Sequence, residues 1–216
     1  MIPTKLPTYK PAELEQKAES FLKNALGEIE IPVDVDLLIE LRGDADLDYW
    51  PGLKPNHSVL GAVFIDADTQ RSLVVIDEGL ADNESQRNRY RMTVAEELGH
   101  LVLHGNVIRQ LSDVNDFRQL QRHPQWNEIE RNAKRFAAAV LMPGSVLLTE
   151  ANAVYRLLVK HAGYGNFAVV QKYLKNQLAS RFEVSPETMG YRLDEWPMKI
   201  NTKVESAMQA GLDYLG

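Results

Sequence analysis

The sequence predicts an α+β fold, mostly helical and built around a small three-stranded sheet. Three observations carry this expectation. Apolar residues recur at helical spacing through most of the chain, three β-branched or aromatic runs cluster between residues 47 and 76, and there are no repeats or low-complexity linkers.

Pro11 opens a helix with apolar positions Leu14, Ala18, Phe21, Leu22 and Leu26 and a stop at Gly27, because proline suits the first helical position and glycine the position past the last. A short helix is expected over 33–43, ending at Gly43. The runs Leu47–Trp50, Val59–Ile65 and Ser72–Ile76 read as strands, the last two as a hairpin through 66–71. From Glu84 to His104 the pattern turns helical, with Gly105-Asn106 as its stop. Further helices are expected from Trp126 to Met142, halted by Pro143-Gly144, and over 146–162 and 167–182. Ser185 caps another helix with Pro186 first, and 200–215 spaces Val204, Met208, Leu212 and Leu215 as an amphipathic helix expected to dock on its own domain.

The chain has 216 residues, a net charge of −6 and no cysteine. That removes disulfides, thiolate nucleophiles and Cys-based zinc sites, so any metal must be held by His, Asp and Glu. The longest unbroken apolar run, Phe136 to Met142, is far short of the roughly 18 residues that span a membrane. The first residues lack a secretory pattern, which places the expectation in the cytoplasm. Acidity argues against nucleic acid as a partner, and it also disfavours a DNA-binding role for the Ser185 to Leu193 segment with its Arg192.

The informative segment is Thr93-Val-Ala-Glu-Glu-Leu-Gly-His-Leu-Val-Leu-His104, followed thirty residues after His100 by Glu130. Four residues advance a helix by about 400°, so Glu96, His100 and His104 share one stripe. The zinc-peptidase pattern H-E-x-x-H uses this geometry, with two ligands at i and i+4 and a glutamate at i+1 as general base. Here the first position is Glu96, giving E-E-x-x-H. Glu96, His100 and Glu130 could ligate a divalent metal with Glu97 as base. Two carboxylates and one imidazole leave a dication formally neutral and shift preference from zinc toward harder ions such as manganese. Alternatively His100 and His104 form the i, i+4 pair, although Leu101 then follows the first histidine and cannot act as base. In a metal-free arrangement Glu96 would pair with His100, and Glu130 with Arg131 or Lys134.

Residues 91–104, then Glu130-Arg-Asn-Ala-Lys-Arg-Phe-Ala-Ala-Ala-Val-Leu-Met-Pro143, resemble the ImmA/IrrE metallopeptidases, and 178–193 are similar to that family's helical C-terminal segment. The resemblance implies a zincin-like fold, with the sheet packed on the motif helix. It places His100 at the second histidine position, Glu97 at the base and Glu130 at the downstream ligand. Glu96 stands where the family has histidine, and Lys134 where it often has asparagine. His104 matches a family position as a supporting residue or alternative ligand. The resemblance further implies a divalent metal, zinc before manganese, and a protein substrate, typically a helix-turn-helix transcriptional repressor. A catalytically weakened member that binds a repressor or antitoxin-like partner is the alternative. On this reading residues 1–10 are an N-terminal extension, 11–195 the peptidase domain and 196–216 a helical tail.

Elsewhere, His57, His123 and His161 lack motif spacing and read as surface or packing residues. Arg87, Arg89 and Arg91 read as a solvated helix face or a partner patch. Tyr49, Trp50, Trp126 and Trp196 are expected in the core or lining a cleft.

Overall fold

The computed structural model describes residues 3–66, 69–111, 114–162 and 165–215. Helix α1 (Pro11–Leu26) starts at the expected proline, and the Lys10 backbone N–H donates to Glu13 Oε2 at 2.6 Å. It buries Leu14, Ala18 and Leu22 and ends at Gly27, whose φ of +74° suits glycine. Helix α2 (Val35–Glu40) is shorter than the expected 33–43. The Asp34 carboxylate caps its first turn by accepting from the N–H groups of Asp36 and Leu37, and the chain leaves the helix before Gly43.

Three strands follow, β1 (Ala45–Trp50), β2 (Gly61–Ile65) and β3 (Ser72–Asp77), with helix α3 (Leu53–His57) between the first two. β3 is central: β1 runs parallel to it with Leu47 opposite Val74, and β2 antiparallel with Val63 opposite Val74. The expected hairpin therefore forms, although residues 67 and 68 of its connection lie outside the described residues. β1 begins two residues earlier than its apolar run because Asp46 is anchored by Arg71, whose Nε donates to Asp46 Oδ2 at 2.6 Å.

Helix α4 (Glu78–Ala81) and a 3-10 turn (Glu84–Gln86) lead into the motif helix α5 (Arg87–Ile108). The expected stop at Gly105-Asn106 is wrong. Gly105 is buried, Val107 continues the apolar stripe, and the helix runs on to Ile108. After α6 (Val114–Gln121), which the sequence did not suggest, come α7 (Trp126–Leu141), α8 (Gly144–Ala162), α9 (Phe167–Phe182) and α10 (Pro186–Asp194). Ser185 caps α10 as expected, its Oγ accepting from the Thr188 N–H at 3.0 Å. Helix α11 (Ile200–Gln209) is shorter than the predicted 200–215. Gly211 turns the chain at φ +66°, and the tail is strapped to α8. Tyr155 Oη donates to the Leu212 carbonyl at 3.0 Å, and the Leu215 N–H donates to Asn152 Oδ1 at 2.6 Å.

The core lies between α5, α7, α1 and one face of the sheet, with Val94, Leu98, Phe136, Ala137, Val74 and Ile76 fully buried. Two arginines tie its layers together. Arg91 is buried and donates to the Glu183 and Phe182 carbonyls at the end of α9, which corrects its assignment to a solvated face. Arg192, also buried, donates from Nη2 to Glu15 Oε2 at 2.8 Å and to the Met142 carbonyl at 2.9 Å. It pins α10 to α1 and to the end of α7, so it is not available as a nucleic-acid contact. The four aromatic residues do not enter the main core: Tyr49, Trp50 and Trp196 are exposed, and Trp126 is half-buried beside Leu6 and Ile129. No single helix among the described residues is long and apolar enough to cross a membrane.

α5 approaches α7 closely at Gly99, where an added Cβ would lie 2.9 Å from the Ala133 carbonyl oxygen and 3.2 Å from its Cα. At Gly105 the nearest atom would be the end of the Arg109 side chain at 3.4 Å. Alanine in place of helical glycine ordinarily stabilises by up to about 1 kcal/mol. Gly105→Ala should therefore raise Tm slightly. Gly99→Ala must push α7 away and is expected to cost about 1–3 kcal/mol. Thermal unfolding of both variants checks this, and equal effects would contradict the assigned contact.

Candidate active site

The approach at Gly99 decides what faces what. One residue on, His100 points at the residue one turn before Ala133 on α7, and its Nε2 lies 3.3 Å from Glu130 Oε1. Of the partners that a metal-free arrangement offers Glu130, Arg131 bonds Glu128 at 2.9 Å instead, and Lys134 acts on Glu130 through its charge. Nor does His100 pair with Glu96, which makes no hydrogen bond or ion pair with a described residue. Burial alone would lower the His100 pKa, but the bond to Glu130 and the charges of Glu97, Glu130 and Glu96 outweigh it and raise it. Burial would likewise raise Glu130, but His100, Lys134 and His104 together hold it below its ordinary value. Each partner thus favours the charged form of the other.

Glu97 sits on the sheet side of α5. A Cβ at Gly61 would lie 2.9 Å from Glu97 Cγ, from Glu97 Oε1 and from Thr93 Cγ2, so β2 begins with glycine where its backbone passes the carboxylate. Burial pushes the Glu97 carboxyl up to about 7, against the opposing charge of His100. Glu96 is raised too, chiefly by burial, with the charges of Lys134 and His100 working against it. The Lys134 that stands at the family's asparagine position therefore acts electrostatically on both Glu96 and Glu130.

His104 lies one turn further along α5, buried, with its ring centroid 5.9 Å from that of His100. Among the described residues neither of its ring nitrogens has a hydrogen-bond partner. Tyr9 covers it edge-on at 6.3 Å, held there by its own N–H donating to Asn132 Oδ1 at 2.8 Å. The sequence assigns Tyr9 to the N-terminal extension and gives Gly61 no role. Only the Pro-x-Tyr run before α1 and a glycine in a β-branched strand hinted at either. His57 and His161 are exposed, and His123 packs near the N-terminus with its ring nitrogen 3.3 Å from the Thr4 carbonyl.

The separation of 3.3 Å is longer than the roughly 2.7–2.9 Å of a charge-assisted hydrogen bond. It equals the distance between two ligand atoms on a tetrahedral ion with bonds of about 2.0–2.1 Å. His100 and Glu130 therefore fit a divalent metal. The complete motif set does not, since no three His, Asp or Glu side chains among the described residues are gathered as a ligand group.

A helix bearing E-E-x-x-H, packed on a mixed three-stranded sheet and facing a glutamate from a following helix, defines a zincin-like metallopeptidase scaffold. The IrrE N-terminal-like domain of the M78 peptidases matches residues 68–194, and the chain belongs to that family. No curated protein matches the chain.

Because the folded Glu97 carboxyl titrates near 7, above its ordinary 4.5, its stabilising contribution is complete below pH 4.5 and is lost as pH rises through 7. Glutamine mimics the protonated form at every pH. In the presence of chelator, the stability advantage of Glu97→Gln over the parent should widen by about 2–3 kcal/mol between pH 5 and pH 8. Denaturant unfolding at the two pH values measures it, and a constant difference would contradict the buried placement.

Proposed function

We propose that the protein is a metal-dependent endopeptidase that cleaves a protein substrate in the cytoplasm, a helix-turn-helix transcriptional repressor being the substrate class that its family resemblance favours. Two observations carry this reading: His100 lies 3.3 Å from Glu130, and on the same helix the Glu97 carboxylate packs against the β2 backbone at Gly61. β2 is an edge strand, so its outer backbone groups can pair with an extended peptide running past Glu97.

In this mechanism His100 and Glu130 are the residues that would hold the metal. When bound, a divalent cation supplies Lewis-acid polarisation of the scissile carbonyl. Glu97 takes the proton from the attacking water and returns it to the departing amide nitrogen. Its burial suits that exchange, because a carboxyl that ionises near neutrality can both accept and release a proton. Lys134 offsets the crowding of negative charge at Glu96 and Glu130.

A second reading, binding of a repressor or antitoxin-like partner without cleavage, is favoured by one observation: Glu96 stands where a histidine ligand is expected and joins no ligand group. Incubation with candidate repressors and zinc or manganese, followed by mass spectrometry of the products, separates the two. The peptidase reading expects discrete cleavage that Glu97→Gln slows by roughly 10²–10⁴-fold. Stable complexes without cleavage at any metal would favour the second reading, and unchanged cleavage by Glu97→Gln would remove Glu97 as base.

A further inference from the structure

We propose that the outer face of the sheet, turned away from α5, docks a protein partner through an arginine whose guanidinium packs on the Trp50 and Phe64 rings and meets the Asp48 carboxylate. This surface is separate from the Glu97 site, and the inference holds whether the partner is cleaved or only bound.

The strand register places the three residues together. Val74 and Ile76 belong to the core, so Val75 between them points out of the opposite face. Asp48 and Ala62 stand opposite Val75, Trp50 opposite Asp77 and Phe64 opposite Leu73. Paired residues share a face of the sheet, so Asp48, Trp50 and Phe64 all lie on the Val75 side. Trp50 and Phe64 meet diagonally across β3, with ring centroids 5.6 Å apart and planes within 19°. Val75 is completely buried, while the two rings remain 38% and 43% exposed. Large apolar rings left open side by side on one face mark an interaction surface.

Asp48 decides the chemistry of the partner. Its Oδ2 accepts from Trp50 Nε1 at 2.9 Å and its Oδ1 from the Tyr49 N–H at 2.8 Å. Both donors are neutral, and among the described residues no cation pairs with this carboxylate. The Asp46 and Asp77 carboxylates on the same face are engaged: Asp46 receives two bonds from Arg71, at 2.6 and 2.7 Å, and Asp77 is buried and accepts from the Lys54 N–H at 2.9 Å. A partner that covers the rings also takes Asp48 out of water, and a carboxylate buried without a counter-charge is costly. A purely apolar partner therefore does not fit, and the occupant must bring a cation. Arginine meets both demands, because its planar, weakly hydrated guanidinium stacks on aromatic faces and bonds a carboxylate. The chain's net charge of −6 favours the approach of a basic partner.

Heteronuclear NMR of the full-length protein tests this through the Trp50 indole N–H signal, identified as the one lost in Trp50→Phe. The probe is the peptide acetyl-Ala-Ala-Arg-Ala-Ala-amide. The proposal expects the Trp50 signal to move to saturation while those of Trp126 and Trp196 hold. Citrulline, which keeps the shape of arginine without its charge, should weaken binding about fivefold or more. Asp48→Asn should weaken it about threefold or more. A Trp50 signal that stays still would overturn the proposal, as would equal binding of the citrulline peptide or of one with leucine in place of arginine, or unchanged affinity in Asp48→Asn. Movement of the Trp50 signal on concentrating the protein alone would assign the face to a second copy of the chain and overturn it too. The citrulline comparison needs no variant, so the test stands even where a substitution disturbs the stacked rings.

Discussion

The site depends on two helices touching without side chains between them. At Gly99 the motif helix α5 has nothing to hold it off the Ala133 carbonyl, and this contact brings residues thirty apart in sequence to 3.3 Å. It also sets the phase of everything else on α5. Glu96 and His104 fall one turn to either side of His100, and Glu97 turns toward β2, where a second glycine, Gly61, again lets backbone come close. Two absent side chains, one on each flank of α5, are what bring the charged ones together.

The cost of this arrangement is electrostatic. Three carboxylates and an imidazole stand near one another, partly withdrawn from water, and burial raises both Glu96 and Glu97. Removing charged groups from water is unfavourable unless each finds a counter-charge. His100 and Lys134 supply part of the compensation, but Glu97 is left poised near neutrality. Glutamine there would relieve the cost of burial, and a carboxyl perturbed this far beside a histidine and a second glutamate has the character of a reactive group. His104 is likewise a buried polar ring, with no hydrogen-bond partner among the described residues.

Much of this was legible in the sequence because it is written in local patterns. Proline and serine starts, a glycine stop at Gly27 and 3.6-residue periodicity located α1, α7, α9 and α10 closely, and the family resemblance singled out His100 and Glu130, which lie 3.3 Å apart in the fold. What could not be read was tertiary. Gly105 signals a helix end by propensity, yet the packing of Val107 carries α5 past it. Arg91 and Arg192 have the composition of surface residues, but they are buried because distant carbonyls and Glu15 receive them. The covering of His104 by Tyr9 depends on Asn132, 123 residues away in sequence, and no local rule anticipates that. α3, α4 and α6 are too short for periodicity to distinguish them from loops.

The claim that α5 and α7 build one site through His100 and Glu130 is tested most directly by a double-mutant cycle. Unfolding free energies of the parent, His100→Ala, Glu130→Ala and the double variant would be measured at neutral pH in the presence of chelator. The account predicts a favourable coupling of about 1 kcal/mol or more, as for partly buried charged partners in contact. Effects that add to within about 0.3–0.5 kcal/mol would show that the two side chains do not meet in the folded protein.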